Sequence, residues 1–329
     1  MTSPAATVAT SVDRLVDWLT TSRWSTFGLA ATRMTIAFTI LVQLAVGFAD
    51  RQYIWGVGHR WAEPFHERQA VVTWIPWLPA APAWATDVAL LASVVAGVAL
   101  LVGWHTRTAC IATFLLWALM IDASPILRSG AEDVVRLVLF YLCFSDSGVV
   151  ASLDARRRRR KDRGEPRHDW LAILLNNVAV VLIAHQIVMI YVGSALWKFD
   201  GPAWLDGTAV YYPLQVNQYS PWLAELDWLY TWSPFVMGAT WSAMIIQLGF
   251  PLLLLTRRTR IIGFVLITGT HLGIGVLMGL MYFSLAMIAA DAVLISDDTW
   301  RSAARNFRDR RNRWVRRAPQ AGEGLESVT

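Results

Sequence analysis

The chain has 329 residues, of which 55% are hydrophobic and only 16% are charged. Soluble globular proteins have about a quarter of their residues charged, and apolar stretches long enough to cross a ~30 Å hydrocarbon core lie between the charged blocks here. Composition therefore excludes a soluble enzyme and predicts an all-α, polytopic membrane protein. The net charge of +5 comes from arginine blocks beside apolar stretches, which favours contact with anionic lipid headgroups over nucleic-acid binding.

The two ends of the chain are predicted to lie on the membrane surface. Residues 1–26 lack the apolar core and cleavage site of a signal peptide. Their apolar positions, among them Val12, Leu15 and Leu19, share one helical face, as expected of an amphipathic helix on the inner surface. Residues 299–329 are predicted to be a basic cytoplasmic tail that is partly disordered.

Eight apolar stretches predict eight transmembrane helices within one domain, residues 27–298. The last two stretches are joined so closely that a tight hairpin near Met278 and Gly279 and a single re-entrant unit both fit the pattern. The predicted spans cover residues 27–48, 84–102, 108–125, 134–150, 171–197, 235–256, 261–279 and 280–295.

Lys and Arg residues are distributed unequally between alternate loops. With eight spans, 22 of the 29 basic residues lie on one side of the membrane and four lie on the other. Positive charge collects on the cytoplasmic side, so both ends of the chain are predicted to be inside. The expected location is the plasma membrane, as a multi-pass protein.

Many of the 18 tryptophans lie in two predicted outer loops, residues 49–83 and 199–234. An aromatic belt at the headgroup level accounts for part of them. The others lie in proline-containing loops with few charges, and these loops are predicted to fold over a cavity that opens to the outer leaflet.

Lys198 is the first candidate for chemistry because it ends the fifth span at its outer boundary. Tyr191 and Ser194 share its helical face at the spacing i, i+3, i+7. A lysine in an apolar pocket has a lowered pKa and becomes a usable base. The alternative is a lysine at a helix end that only extends its amine to the membrane surface.

His271 lies midway through the seventh span, with small residues on its side of the helix. Small residues permit close helix contact, which favours a packed, hydrogen-bonded histidine, but they also leave room for a ligand. Cys110 and Cys143 lie in predicted spans without metal-site spacing, so no metal is predicted.

Four further charged residues lie in or beside predicted spans. Glu132 and Asp133 precede Arg136 at the outer end of the fourth span, where a buried arginine requires a carboxylate partner. The two acids are either a surface pair or part of a substrate pocket. Arg33, within the first span, is predicted to form a structural ion pair.

These residues carry a resemblance to a known family. Residues 191–210, YVGSALWKFDGPAWLDGTAV, resemble the segment of vitamin K-dependent γ-glutamyl carboxylases in which a small-residue turn precedes Lys, an apolar residue and Asp. The wider family is the horizontally transferred transmembrane (HTTM) domain family. Other matching positions, in order, are Arg33, Phe144-Ser-Asp146, Ser152-Leu-Asp154, His271 and Met281-Tyr-Phe283.

The resemblance implies that Lys198 is the base that deprotonates a reduced naphthoquinone, a menaquinol or vitamin K hydroquinone. His271 is the second residue expected to be catalytic. The residues expected to line the quinol or substrate pocket are Tyr191, Ser194, Glu132, Asp133 and Arg136. A quinol-dependent membrane enzyme with a peptide or small lipid substrate is therefore expected. Two departures argue against peptide carboxylation, although the base is retained. Gly130-Ala131-Glu132-Asp133 stands where the carboxylases have an Asn-His pair, and no counterpart of their large lumenal domain is expected. The alternative is a non-enzymatic accessory, export or immunity-type protein that holds a lipid or peptide.

Overall fold

A computed structural model of the chain describes residues 13–14, 16–56, 82–124, 127, 129–160 and 169–317. Most of the first outer loop, with its proline- and tryptophan-rich stretch, and the end of the tail lie outside the described residues. All regular elements in the described ranges are helices. The longer ones are α1 (Thr26–Val46), α2 (Ala83–Val102), α3 (Thr106–Ala123), α4 (Gly130–Phe144), α5 (Trp170–Lys198), α6 (Ser233–Leu253), α7 (Arg257–Leu277), α8 (Met281–Asp291) and α9 (Asp297–Arg317).

Shorter helices occupy several of the connections. Three of them lie between α5 and α6, in the second predicted outer loop, and a 3-10 turn continues α8. These short elements are Arg51–Ile54, Leu153–Arg160, Pro202–Leu205, Tyr211–Leu214, Leu223–Tyr230 and the 3-10 turn Ala292–Leu294.

Five helices, α1, α2, α5, α6 and α7, are long and apolar enough to cross a membrane. The helices α3, α4 and α8 have 18, 15 and 11 residues, and at ~1.5 Å per residue the last two are shorter than a ~30 Å hydrocarbon core. The membrane fold is thus confirmed, whereas the count of eight spans and the inward orientation of both ends stay predictions.

The outer surface of the bundle is apolar, as a membrane protein requires. On α2, the side chains of Val88, Leu91, Val95 and Val98 are exposed and follow one another every three to four residues, so that they form one stripe along the helix. A soluble monomer rarely exposes a continuous apolar surface of this kind. The structure therefore supports an integral membrane protein.

The boundaries of α4 differ from the predicted span 134–150. The helix begins earlier because Ser129 and Glu132 cap it: the Ala131 amide donates to Ser129 Oγ (3.2 Å), and the Ser129 amide donates to Glu132 Oε2 (3.1 Å). It ends at Phe144 because the polar residues that follow have other partners. Hydropathy alone could not detect either end.

The connection between α7 and α8 is a tight turn at residues 278–280. Gly279 has a φ of 66°, a left-handed conformation that glycine adopts readily. The tight turn near Met278 and Gly279 is therefore confirmed, whereas the choice between two full spans and a re-entrant unit stays open, since α8 has only 11 residues.

Arg33 on α1 has a different set of partners from the predicted ion pair. Its side chain is fully buried, and its guanidinium donates to the carbonyl oxygens of Leu100 (2.6 Å), Leu101 (3.2 Å) and Ala151 (2.7 Å). Carbonyl groups at a helix C-terminus lack partners within the helix and carry partial negative charge. Arg33 thus caps the end of α2, while the charge of Asp154 acts on it without a direct hydrogen bond.

Asp154 caps the next helix. Its carboxylate accepts hydrogen bonds from the amides of His105 (3.1 Å) and Thr106 (2.7 Å), and from the Thr106 hydroxyl (2.8 Å), at the start of α3. Burial alone would raise the pKa of Asp154, but the hydrogen bonds from Thr106 and His105 outweigh burial and lower this pKa. The carboxylate is therefore held in its charged form.

Two adjacent asparagines on α5 fix the segment that precedes α1. Asn176 and Asn177 are fully buried. Asn177 accepts from the Trp24 amide (2.9 Å) and donates to the Leu19 carbonyl (2.9 Å), while Asn176 accepts from the Asp146 amide (3.0 Å). The amides satisfy backbone groups that would otherwise be buried without partners.

The start of α9 contacts the start of α1. Asp297 accepts hydrogen bonds from the Thr26 amide (3.1 Å), the Thr26 hydroxyl (2.8 Å) and the Phe27 amide (2.9 Å). Asp297 also begins α9, so the first part of the predicted tail is helical. Acidic residues in the first turn of α9 favour that helix because they interact with its dipole.

Candidate functional site

Lys198 is the last residue of α5, and its amine lies among neutral groups. Its Nζ donates to Ser194 Oγ (2.7 Å) and to Gln247 Oε1 (2.5 Å) on α6, and lies 4.9 Å from the centroid of the Trp204 ring. The side chain is half-buried. These neutral acceptors orient the amine without supplying a counter-charge.

An apolar pocket of about 240 Å³ adjoins this amine. Trp204 connects the Lys198 amine with the pocket, since its ring contacts Lys198 and also lines the pocket. The other lining residues come from the start of the second outer loop and from α6. They are Phe199, Leu205, Trp241, Met244, Ile245 and Leu248.

The second outer loop lies against the helices at two places. The indole of Trp241 donates to the Leu205 carbonyl (3.4 Å), and the indole of Trp222 donates to the Val276 carbonyl at the end of α7 (2.9 Å). The start of this loop therefore forms part of the pocket wall, while a loop that folds over a cavity stays a prediction.

A second polar cluster lies deeper in the bundle, where α5, α7 and α8 meet. Tyr191 Oη donates to Asp291 Oδ2 (2.7 Å) and lies 3.1 Å from His271 Nε2. All three side chains are at most 1% exposed. Because a hydroxyl has one proton, a Tyr191 that donates to Asp291 must accept from His271 Nε2. Nδ1 of His271 is then an acceptor.

Several atoms of this deeper cluster have no hydrogen-bond partner among the described residues. They are His271 Nδ1, Asp291 Oδ1 and Ser284 Oγ. Buried polar atoms without partners are uncommon and indicate a place for a water or a ligand. Around them, however, the packing is close: a Cβ atom at Gly275 would lie 3.0 Å from Ser284 Oγ. The packed, hydrogen-bonded interpretation of His271 is thus favoured, with space for a small molecule at most.

The two clusters lie along the same contact between α5 and α6. Gln247 binds Lys198, and Phe250, one helical turn further on, packs against the Tyr191 ring at 4.7 Å. Lys198 follows Tyr191 by seven residues, or ~10 Å along the helix. His271 therefore lies deeper than Lys198 and belongs to a separate set of contacts.

Glu132, Asp133 and Arg136 lie elsewhere, at the junction of α3 and α4. Arg136 contacts Asp133 (2.8 Å) and lies 3.8 Å from Asp122. Glu132 is buried and caps α4. No hydrogen bond among the described residues joins these side chains to Lys198 or His271, and their place in a substrate pocket stays a prediction.

Two residues of the clusters were missed from the sequence. Asp291 lies inside the predicted span 280–295, and an ionisable residue at such a position is itself a sign of function. Gln247 is a polar residue in the predicted span 235–256. The sequence could not show that either would meet a residue from another helix.

Comparison with known proteins agrees with the resemblance seen in the sequence. The family model of the HTTM domain matches residues 24–300. The uncharacterized protein YitO of Bacillus subtilis (strain 168) is 25% identical over 195 residues, which cover 58% of this chain and 60% of that protein. No solved structure matches.

Proposed function

The chain belongs to the HTTM domain family, and from this premise we propose that it binds a quinol beside the predicted outer end of α5 and uses Lys198 as a base. The observation that carries the proposal is the position of the Lys198 amine. It lies between two neutral acceptors and beside an aromatic pocket.

The hydrogen bonds of Lys198 suit a base. A neutral amine has two N–H groups and one lone pair, and the oxygens of Ser194 and Gln247 provide two acceptors. A third acceptor, the Ser194 carbonyl oxygen, lies further away at 3.4 Å. In this proposal the amine gives up that longest contact, and the lone pair that accepts a proton takes its place. The face of the Trp204 ring, 4.9 Å away, stabilises the ammonium that results.

The pocket residues fit the ring of a quinol. Ligand pockets are mostly apolar and aromatic, with a few polar groups that orient the ligand. Here Phe199, Trp204 and Trp241 supply aromatic walls, and Lys198 supplies the polar group. A bound quinol supplies reducing electrons and an acidic hydroxyl. Lys198 Nζ takes the hydroxyl proton in this proposal.

The deeper cluster has a supporting role in this proposal. Tyr191 joins α5 to α7 through His271 and to α8 through Asp291. It thereby fixes the helix that carries Lys198. A site held on rigid elements keeps its reacting groups in place.

Ligand identity is tested first, by mass spectrometry of the lipids and quinones that the detergent-purified protein retains. We expect a naphthoquinone in the wild-type protein and at most a trace in Trp204→Ala. The matched control is Trp228→Ala, because Trp228 is exposed and lies outside the pocket. Retention that is equal in both variants contradicts a quinol beside Trp204.

The base is tested with Lys198→Arg, assayed as oxidation of a reduced naphthoquinone by dissolved O₂, which takes the two electrons and two protons. Arginine keeps the positive charge but is not deprotonated in proteins, so we expect a loss as complete as in Lys198→Ala, with unchanged thermal stability. Lys161→Arg is the control, because Lys161 is the other lysine of the chain. A fully active Lys198→Arg protein rules out the base.

A lipid-holding, non-enzymatic protein is the second candidate. It is favoured by the apolar character of the whole pocket lining, which suits a lipid chain without any reaction. Retention of lipid by Lys198→Arg, together with a cellular activity equal to that of the wild type, would support this second function.

A further inference from the structure

A second cavity, of about 320 Å³, lies at the other end of α5 from Lys198, ~40 Å away along the helix. It is bounded by the start of α3, the end of α4 and the start of α5. Three arginines and three aspartates line it: Arg23, Arg107, Arg158, Asp146, Asp154 and Asp169. This cavity includes two of the motif aspartates, Asp146 and Asp154, that the quinol site does not use.

The three carboxylates already have partners within the protein. Asp146 lies 2.6 Å from Arg23 Nε and 3.2 Å from an Nη atom of Arg107. Asp154 caps α3 as described above, and Asp169 accepts from the Leu171 amide at the start of α5 (3.1 Å). Two of the three negative charges therefore compensate helix N-termini, which carry partial positive charge.

The arginines, by contrast, keep donors available. A guanidinium has five N–H donors. Among the described residues, Arg23 and Arg107 contact only Asp146, and Arg158 donates one hydrogen bond to the Gly148 carbonyl (2.6 Å). The Arg107 side chain is 51% exposed. Of the five arginines on the helix Leu153–Arg160, Arg158 lines the cavity.

We propose that this cavity binds a phosphate ester, with Arg107 and Arg158 as the principal ligands of the phosphate oxygens and with Asp146 keeping Arg23 and Arg107 in place. Guanidinium groups match phosphate oxygens in geometry and charge. The phosphate comes either from an inner-leaflet lipid headgroup or from a free phosphate compound. This site is independent of Lys198 and of the proposed quinol.

The test is native mass spectrometry of the full-length protein titrated with dioleoylphosphatidylglycerol, and with dioleoylglycerol as the matched lipid without phosphate. We expect binding of the phospholipid and at most weak binding of the diacylglycerol. Loss of a charge-assisted hydrogen bond should weaken phospholipid binding about tenfold in Arg158→Gln and in Arg107→Gln. Arg159→Gln is the control, because Arg159 is exposed, adjacent in sequence and outside the cavity lining.

Competition with excess inorganic phosphate separates the two sources. If phosphate displaces the lipid from the wild-type protein, the site takes free phosphate compounds; if the lipid stays bound, the site takes a headgroup. Thermal unfolding shows whether each variant is folded. If Arg158→Gln does not fold, the phospholipid affinity of Arg107→Gln tests the proposal instead. Equal phospholipid affinity in Arg107→Gln, Arg158→Gln and Arg159→Gln overturns the proposal, as does equal binding of the lipid without phosphate.

Discussion

The two ends of α5 differ in how their charges are matched. Near its start, Asp146 is paired with Arg23, and Asn176 and Asn177 bind the backbone of neighbouring segments. At its end, Lys198 has the neutral partners Ser194 and Gln247. A cation paired with a carboxylate cannot lose its proton without breaking the pair, whereas a cation among neutral oxygens can. The start of α5 therefore holds neighbouring segments together, whereas its end carries the group that can take part in a reaction.

The comparison requires that the two ends of α5 lie on opposite sides of the membrane, and the topology of the chain is therefore the first thing to test. The unequal distribution of basic residues predicts that residue 164 is cytoplasmic and that Asp206 is external. A membrane-impermeant thiol reagent added to intact cells should modify a cysteine at 206 and leave one at 164 unmodified.

Permeabilised cells provide the control, since both cysteines should then react. Labelling at 164 alone would reverse the orientation. Labelling of both positions in intact cells would contradict an even number of spans.

The contribution of the arginine that caps α2 to stability is tested by Arg33→Leu. The change leaves one buried and two partly buried carbonyl oxygens without their donor, and unsatisfied buried groups cost ~1–3 kcal/mol each. We expect a loss of ~3 kcal/mol or more, seen as a lower midpoint of thermal unfolding in detergent and a lower folded yield.

Arg51→Leu is the comparison variant, because the Arg51–Asp87 pair is partly exposed and such pairs contribute ~0–1 kcal/mol. If the two variants unfold at the same temperature, Arg33 is not the structural cap described here.

The smallest effect concerns Asp154 and pH. Its pKa is lowered in the folded protein, so its contribution to stability is complete above the pKa of the unfolded chain, ~3.9, and is lost as the pH falls through the lower, folded value. The unfolding midpoint of Asp154→Asn should lie below that of the wild type at pH 6, and the gap should narrow below pH ~4. A gap that widens in acid has the wrong sign for this cap.

The long helices could be predicted from the sequence because apolar runs determine them. The predicted spans 84–102 and 171–197 differ by at most one residue at each end from Ala83–Val102 and Trp170–Lys198. The predicted span 134–150 was displaced, since α4 begins with a polar capping box and ends before a polar segment. Hydropathy cannot detect where a helix begins when its first residues are polar or charged, as in this capping box.

The candidate site could be predicted only in part, for a related reason. Helical spacing within α5 placed Tyr191, Ser194 and Lys198 on one face, and the hydrogen bond from Lys198 to Ser194 lies within that helix. The partners Gln247 and Asp291 come from other helices. One sequence gives the face of each helix but not which faces meet.

The cap that Asp297 places on α1 has a consequence for biosynthesis. Asp297 follows Thr26 by 271 residues, so Asp297 emerges from the ribosome long after α1 has emerged. Until then, the exposed amides at the start of α1 have only water or headgroups as partners. Helix α1 thus reaches its final bonding only after Asp297 has been synthesised, and a nascent chain arrested before Asp297 would carry an incompletely bonded α1.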